Sequence, residues 1–502
     1  MNLAHDLERR AQEEPGRIGL YFKDEALTFL GIDQMSSRVG NYLKSVGLEK
    51  GKRLAIFLPS SPRFIAALFG AWKVGAIVVP INNLYKDKEL RHGLEQTKAD
   101  AVITDKDHLE RVKKLGMNLE VLCYDDKLFA GFSSACPSFT PDEQDIALMP
   151  FTGGTSGEAR AAILGHNSQY ATLSNLAAIS KGRPGPFPIA RSNTPPNFIA
   201  MPLFHMGGLM SLLIAYNVGR SVVLMRKFEA ETFVQLVAKH RPDTLALMPT
   251  MIQMLVNYPE EVDLSSVKSL LSTGQELNPS LKRRFELRFN IPVIQNYGST
   301  EAGHIAGWTV RDITEKRWKP GAVGRVYENV EVFIRDPEGK DLPVGKTGQI
   351  WIKTKGTMEG YAGKDSVKEK VISEDGLVTT SDLGYLDSDN CLFVIGRSRD
   401  MIKCGGFQVL PGEIEETLRE HPAVLDVAVV GVPDERLGEM PKAFVVLKDE
   451  TQDKDKLALE LIEFCRSKIA HYKAVRAVSF VREIPKSEVG KVVKRFLQEQ
   501  AS

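Results

Sequence analysis

Short apolar runs of strand length recur through the chain up to about Arg397, separated by segments whose apolar residues fall at helical spacing. The runs include Arg53–Leu58 (RLAIFL), Ala76–Ile81 (AIVVPI), Ala101–Thr104 (AVIT), Val222–Met225 (VVLM) and Thr244–Met248 (TLALM). Between them, Phe228–His240 carries Phe233, Leu236 and Val237 on one helical face. Strands alternating with helices predict an α/β fold, here a large multi-layer N-terminal domain with mixed sheets. The most apolar stretch, Phe64–Ile81, is interrupted by Lys73, loosened by Gly70 and Gly75 and ended by Pro80. It reads as a core helix followed by a strand, not as a membrane span.

The pattern changes past Arg397. Gly396–Gly406 (GRSRDMIKCGG) is charged and glycine-rich, and reads equally as a hinge or a surface loop. A helix starts near Pro411, with Glu413, Glu415 and Glu416 early in it, where the helix dipole favours acids. Strands at Val424–Val430 and Ala443–Leu447, a helix over Asp455–Ile469 and a strand at Val475–Val481 complete a small α+β domain. The expected division is 1–396 for the large domain and 397–502 for a mobile C-terminal one, hinged at 397–400.

Lys plus Arg total 65 and Asp plus Glu 64, so the net charge of +1 gives no general affinity for nucleic acid or anionic membranes. The five cysteines are scattered without a CxxC pair, which reads as thiols in a reducing compartment. The N-terminal residues hold acids and arginines where a signal peptide needs an apolar run, and the expected location is the cytoplasm.

Four segments carry chemistry. The apolar strand Ile146–Phe151 leads into Thr152-Gly153-Gly154-Thr155-Ser156-Gly157, whose glycines allow a tight turn of N–H groups around an anion and whose hydroxyls add donors. It is not a Walker loop, because Glu158-Ala159 follows Gly157. Asn296-Tyr297-Gly298-Ser299-Thr300-Glu301 follows the apolar run Ile291–Ile294 and offers a ring to stack on a base and oxygens for a phosphate and its Mg²⁺. Ser381-Asp382 precedes a turn and suits ribose hydroxyls, and Arg482–Arg495 places Lys491 after Gly490 in a basic stretch. Singly, each reads as well as a plain turn, a core tyrosine or a solvated face.

Together they resemble the adenylate-forming superfamily of acyl-CoA synthetases, peptide-synthetase adenylation domains and firefly-type luciferases. The resemblance runs in order through Gly70–Ala76, the Thr152–Gly157 loop, Pro202–Gly208, Asn296–Glu301, Gly348–Ile352, Thr380–Gly384, Gly396–Asp400, Gly405-Gly406 and Pro485–Lys491. It implies an AMP-forming acyl-CoA synthetase. ATP and a fatty or aryl carboxylate give an acyl-adenylate and pyrophosphate, and coenzyme A then takes the acyl group as a thioester.

By the same resemblance, Lys491 bridges the carboxylate and the α-phosphate, and Glu301 and Thr155 serve Mg²⁺. Thr152–Gly157, Thr300 and Arg160 reach phosphates, and Asp382 with Arg397 binds ribose. Tyr297, flanked by Gln295, Asn296 and Gly298, lies at the adenine with Gly274-Gln275-Glu276. Arg399 is the pivot, and Lys403, Gly405 and Gly406 line the pantetheine path, where a side chain would obstruct it. His205, Met206, Gly207, Gly208 and Met248 form the acyl pocket, the glycines giving room, with His205 also counted among the catalytic residues or else packed in the core.

One departure stands out. Where the family carries a variable residue and then Pro-Lys-Gly, this chain reads Glu158-Ala159-Arg160-Ala161. Arg160 keeps the charge, and the alanines lose the usual backbone constraints. No acid follows His205 to hold a substrate ammonium. Two alternatives remain at this level, loading of an acyl carrier protein and a weakened nucleotide- or adenylate-binding relative.

Overall fold

The computed structural model describes the chain except residues 138, 153–158, 182–192, 364–370, 450–452, 487–491 and 502. It separates into two units. The larger takes in Met1–Gly153, Ala159–Glu331 and Ile352–Val378, and the smaller Val332–Trp351 and Thr379–Ser502.

In the larger unit, Arg53–Phe57 lies between Ile77–Pro80 and Ala101–Thr104, with Glu120–Cys123 next, all parallel. Such strands are covered on both faces, which is why they read as unbroken apolar runs. Ile146–Leu148 joins parallel to Ile77–Pro80, and Arg160–Gly165 then pairs antiparallel with it. Arg160–Gly165 also pairs with Phe151–Thr152 and with Gly360–Tyr361. The run Ile146–Phe151 is therefore two short strands, not one. A second sheet runs in parallel through Val222–Leu224, Asn197–Ile199, Thr244–Leu247, Ser269–Ser272 and Val293–Ser299, and turns antiparallel at Gly303–Gly307.

The Phe64–Ile81 stretch folds as helix Pro62–Lys73 and strand Ile77–Pro80. Two of its apparent interruptions are packing features. A Cβ on Gly70 would stand 2.7 Å from the Ser36 carbonyl oxygen, so glycine is what lets this helix lie against Phe29–Ser45 backbone to backbone. Lys73 is wholly buried, and its Nζ meets Asp33 Oδ1 at 2.5 Å and Ser37 Oγ at 2.9 Å. A buried ammonium so paired spans the two helices.

In the smaller unit, Val424–Asp434 and Gly438–Leu447 form a long hairpin, with Ala477–Phe480 parallel to its second strand. Helices Pro411–Arg419 and Lys454–Lys468 belong to this unit, and Pro411 sits in the first turn of its helix. Among the described residues no helix is long and apolar enough to cross a membrane.

His166 heads the helix His166–Lys181, is 2% exposed and accepts a hydrogen bond from Leu3 N at Nδ1, 3.2 Å away. Burial, and then the N-terminal ammonium, hold its pKa down to about 4 from 6.5. A histidine depressed in the folded state binds more protons when unfolded. Its stabilising effect is therefore present above pH 6.5 and is lost as the pH falls towards 4, by up to about 3 kcal/mol. His166→Gln should flatten the dependence of the thermal unfolding midpoint on pH in that window, and an unchanged slope would assign the acid sensitivity elsewhere.

Candidate active site

Strand Val293–Ser299 is parallel to Ser269–Ser272 at its start and antiparallel to Gly303–Gly307 at its end. Asn296–Ser299 thus lies on a strand that continues past the parallel sheet, at the carboxyl edge where α/β folds hold ligands. The hairpin is tight at Gly298, where a Cβ would overlap the Gly303 carbonyl oxygen. Tyr297 is half-buried opposite Ala306.

Asn296 is buried, and both ends of its amide are engaged: Nδ2 donates to the Tyr327 hydroxyl at 2.7 Å, and Oδ1 faces His304 Nδ1 at 2.7 Å. With Oδ1 accepting, the His304 proton is placed on Nδ1. Loss of water around the ring holds its pKa down to about 4, so His304 is neutral at pH 7. Burial pushes the Tyr327 phenol up. His304 and Tyr327 were not singled out by sequence. Neither has a local signature, and only the hairpin and its neighbour Gly324–Val326 bring them to Asn296.

Glu301 follows in the turn between the strands. Its Oε1 accepts a 2.6 Å hydrogen bond from the Tyr361 hydroxyl, and its backbone carbonyl accepts from Met358 N at 2.8 Å. The Arg160 guanidinium lies 4.2 Å from the centroid of the Tyr361 ring. Thr152 pairs with Arg160 across the strands. One cluster of the larger unit therefore gathers Thr152, Arg160 and Glu301, with Tyr361 as a member that sequence reasoning missed. The loop residues Gly153, Gly154, Thr155, Ser156 and Gly157 lie outside the described residues. Thr300 is half-buried beside Glu301. Among the described residues no group of three or more His, Cys, Asp or Glu side chains could hold a metal alone. A single carboxylate fits Mg²⁺, which keeps several waters and draws its other ligands from substrate phosphates.

Gly274 follows strand Ser269–Ser272 with φ +83°, the conformation glycine favours, and Gln275 and Glu276 come next. Met248 is buried and lies 3.6 Å from where a Gly274 Cβ would be. His205 caps helix Met206–Val218, with Nδ1 accepting from Gly207 N at 3.2 Å. Met206 packs on the core. A Cβ on Gly208 would overlap the Pro202 carbonyl, so close backbone packing by itself accounts for that glycine.

In the smaller unit, Ser381-Asp382 lies inside strand Val378–Leu386, not ahead of a turn. Ser381 bends that strand with φ +61°, and Ser398 Oγ donates to its carbonyl at 3.1 Å. Asp382 pairs with Arg397 across the hairpin, and Arg397 Nε lies 3.3 Å from its Oδ1, so a buried carboxylate is held by a fixed cation. Arg399 sits in the 3-10 turn Ser398–Asp400. Lys403 is exposed on Ile402–Cys404. Gly405 and Gly406, at φ +58° and +84°, form the two-residue turn to Phe407–Val409, so the turn itself already demands both glycines. Lys491 lies outside the described residues. The chain on either side of it is anchored by Lys486 to Asp426 and by Lys494 to Glu415, each at 2.9 Å.

Two family models match in tandem, an AMP-binding enzyme over residues 7–362 and an AMP-binding enzyme C-terminal domain over residues 413–491. The chain belongs to this family of AMP-binding enzymes, the adenylate-forming superfamily, and is an AMP-forming acid–thiol ligase. It is 32% identical over 502 positions to 4-coumarate–CoA ligase-like 1 of Arabidopsis thaliana, covering 95% of this chain and 89% of that protein. It is 30% identical to 4-coumarate–CoA ligase 2 of Petroselinum crispum, covering 94% and 89%. An anthranilate CoA ligase solved with anthranoyl-AMP superposes with a TM-score of 0.89 at 25% identity, covering 100% of this chain and 97% of that one.

Loss of the Tyr327 hydroxyl would leave the buried Asn296 amide short of a partner. Tyr327→Phe should cost about 1–3 kcal/mol, read as a lowered urea midpoint. A variant as stable as the parent would show the network to be dispensable.

Proposed function

We propose that this enzyme is an aryl-carboxylate–CoA ligase. The observation that carries the reading is its near full-length similarity to 4-coumarate–CoA ligases, supported by the likeness to a ligase solved with an aryl-adenylate. In the first half-reaction a carboxylate oxygen attacks the α-phosphorus of ATP, the bond to the bridging oxygen breaks, and pyrophosphate leaves. In the second, the coenzyme A thiol attacks the acyl carbon, AMP departs, and the thiol proton passes to solvent.

The residues divide this work. Lys491 supplies positive charge to the crowded phosphorus, where fixed cations stabilise the transition state most. Asp382, oriented by Arg397, accepts from the ribose hydroxyls. Tyr297 offers its ring to adenine, on a strand that the Asn296–Tyr327–His304 network holds in place. Thr155 and Thr300 donate to phosphate oxygens. Glu301 would hold Mg²⁺ together with those phosphates, and the ion would neutralise charge on them. His205, Met206 and Met248 border the acyl group, and no acid follows His205 to select an ammonium-bearing substrate.

Pyrophosphate release measured over a panel of cinnamic, benzoic and fatty acids, with and without coenzyme A, tests the reading. Release is expected with the aryl acids, and thioester only when coenzyme A is present. Lys491→Ala should lower release at least about 100-fold while keeping more of the thioester step from supplied adenylate. Preference for fatty acids would overturn the aryl assignment. Release without thioester would redirect the acyl group to a carrier protein, and no release with any acid would reduce the chain to a binding relative.

A further inference from the structure

Tyr361 is 8% exposed, and its only neighbour along its short strand is Gly360. Pairing with Arg160–Gly165 sets Tyr361 opposite Ala162. Arg160 stands two residues along the same face, a diagonal that long side chains can close. Ala162 is small and buried, so the guanidinium can lie over the ring. The strand is fixed on both sides of Tyr361: Glu359 N donates to Ile163 O at 2.9 Å, and Ala362 N to Ala161 O at 2.8 Å. The hydroxyl at the far end of this clamped ring makes the short hydrogen bond to Glu301. An O–H donor on a carboxylate at this distance is a charge-assisted bond, among the stronger kinds in proteins.

We propose that Tyr361 is a positioning residue for Glu301, and that Arg160 acts through it by stacking on the ring and holding it in place. The proposal rests on the reading of Glu301 as the carboxylate that serves magnesium–nucleotide. Tyr361 engages one carboxylate oxygen and limits the side chain to one orientation, so less freedom is lost when the metal–nucleotide binds. The cation–π contact is the part that a lysine would weaken, because an ammonium has no flat face to lay on the ring. The Arg160 that replaces the family's usual lysine is therefore matched to Tyr361, and the Glu301 carboxylate is where the match takes effect.

Equilibrium ATP binding to the full chain, followed by calorimetry across a magnesium titration, reads this without turnover. The set is the parent, Glu301→Gln, Tyr361→Phe, Arg160→Lys and the Tyr361→Phe/Arg160→Lys double variant, each checked for an unchanged unfolding temperature. Tyr361→Phe should raise the magnesium midpoint about tenfold, with metal-free ATP affinity kept within about twofold. Arg160→Lys should raise it about two- to threefold, and the double variant should match Tyr361→Phe alone, because both act on one element. If Glu301→Gln moves the midpoint and Tyr361→Phe does not, the positioning role is wrong and the metal-ligand reading stands. If Glu301→Gln leaves the midpoint unmoved, both are wrong. Additive shifts from Arg160→Lys and Tyr361→Phe would remove Arg160 from the relay. A Tyr361→Phe variant that loses metal-free ATP binding and unfolds at a lower temperature would make Tyr361 merely structural and overturn the proposal.

Discussion

The change from parallel to antiparallel pairing along Val293–Ser299 is the constraint on which the candidate site depends. A strand inside a parallel sheet is covered by helices and exposes no side chains for chemistry. By running on past Ser269–Ser272 and doubling back as Gly303–Gly307, this strand carries Tyr297, Thr300 and Glu301 beyond the sheet edge while its root stays in the core. The doubling back is possible only at very close backbone distances. Gly298 lies against the Gly303 carbonyl, and Gly307 has no room for a side chain beside the Tyr327 hydroxyl. The Asn296 network then ties the hairpin to the adjacent strand with buried polar bonds, which are directional where apolar packing is not.

The same logic holds in the hairpin that carries Asp382. A cross-strand pair sets Arg397 opposite the carboxylate, and the left-handed Ser381 tilts the strand just ahead of it. A non-glycine residue in that conformation is costly, and the strain is tolerated because Thr379 Oγ1 accepts from Ser381 N and Ser398 Oγ donates to Ser381 O. In both hairpins the candidate side chain is positioned by pairing between segments, not by the local run of residues that contains it.

That distinction explains what could be read from the sequence. The buried parallel strands were legible because coverage on two faces leaves an uninterrupted apolar run: Ala101–Thr104 was bounded correctly, and Arg53–Leu58 and Thr244–Met248 to within one residue. In the smaller unit two helices and the apolar parts of the two hairpin strands were legible as well, with Pro411 marking a first turn, whereas the helix Lys494–Ala501 was not. Asp382 was misplaced before a turn because Thr, Ser and Asp are turn formers, and pairing with Cys391–Arg397 overrides that preference. Lys73 and Gly70 looked like breaks in a helix because a buried ion pair and a backbone contact leave no trace in periodicity. Tyr361 was illegible for a plainer reason. Its partner Glu301 is 60 residues away, and no spacing rule spans that interval.

The Glu158–Ala161 departure takes on a different meaning in three dimensions. As sequence, it loses the proline and glycine that flank the usual lysine, and with them the backbone restraint. In the structure, Ala161 is buried in a strand paired on both edges, with Phe151 opposite it on one side and Ala362 N donating to its carbonyl on the other, while its own N–H reaches Gln96 Oε1 at 3.0 Å. Sheet pairing therefore supplies the restraint that a proline or glycine turn would otherwise impose. The charge argument changes in the same way. A phosphate near a unit cation at 4 Å gains roughly 4 kcal/mol at an effective dielectric of 20, whether the cation is lysine or arginine. Net charge therefore cannot distinguish the two residues. Shape can, because a guanidinium donates in its plane while one face rests on an aromatic ring. What the substitution alters is shape: the Arg160 guanidinium lies against the Tyr361 ring, 4.2 Å from its centroid, and a lysine ammonium has no face to lay there.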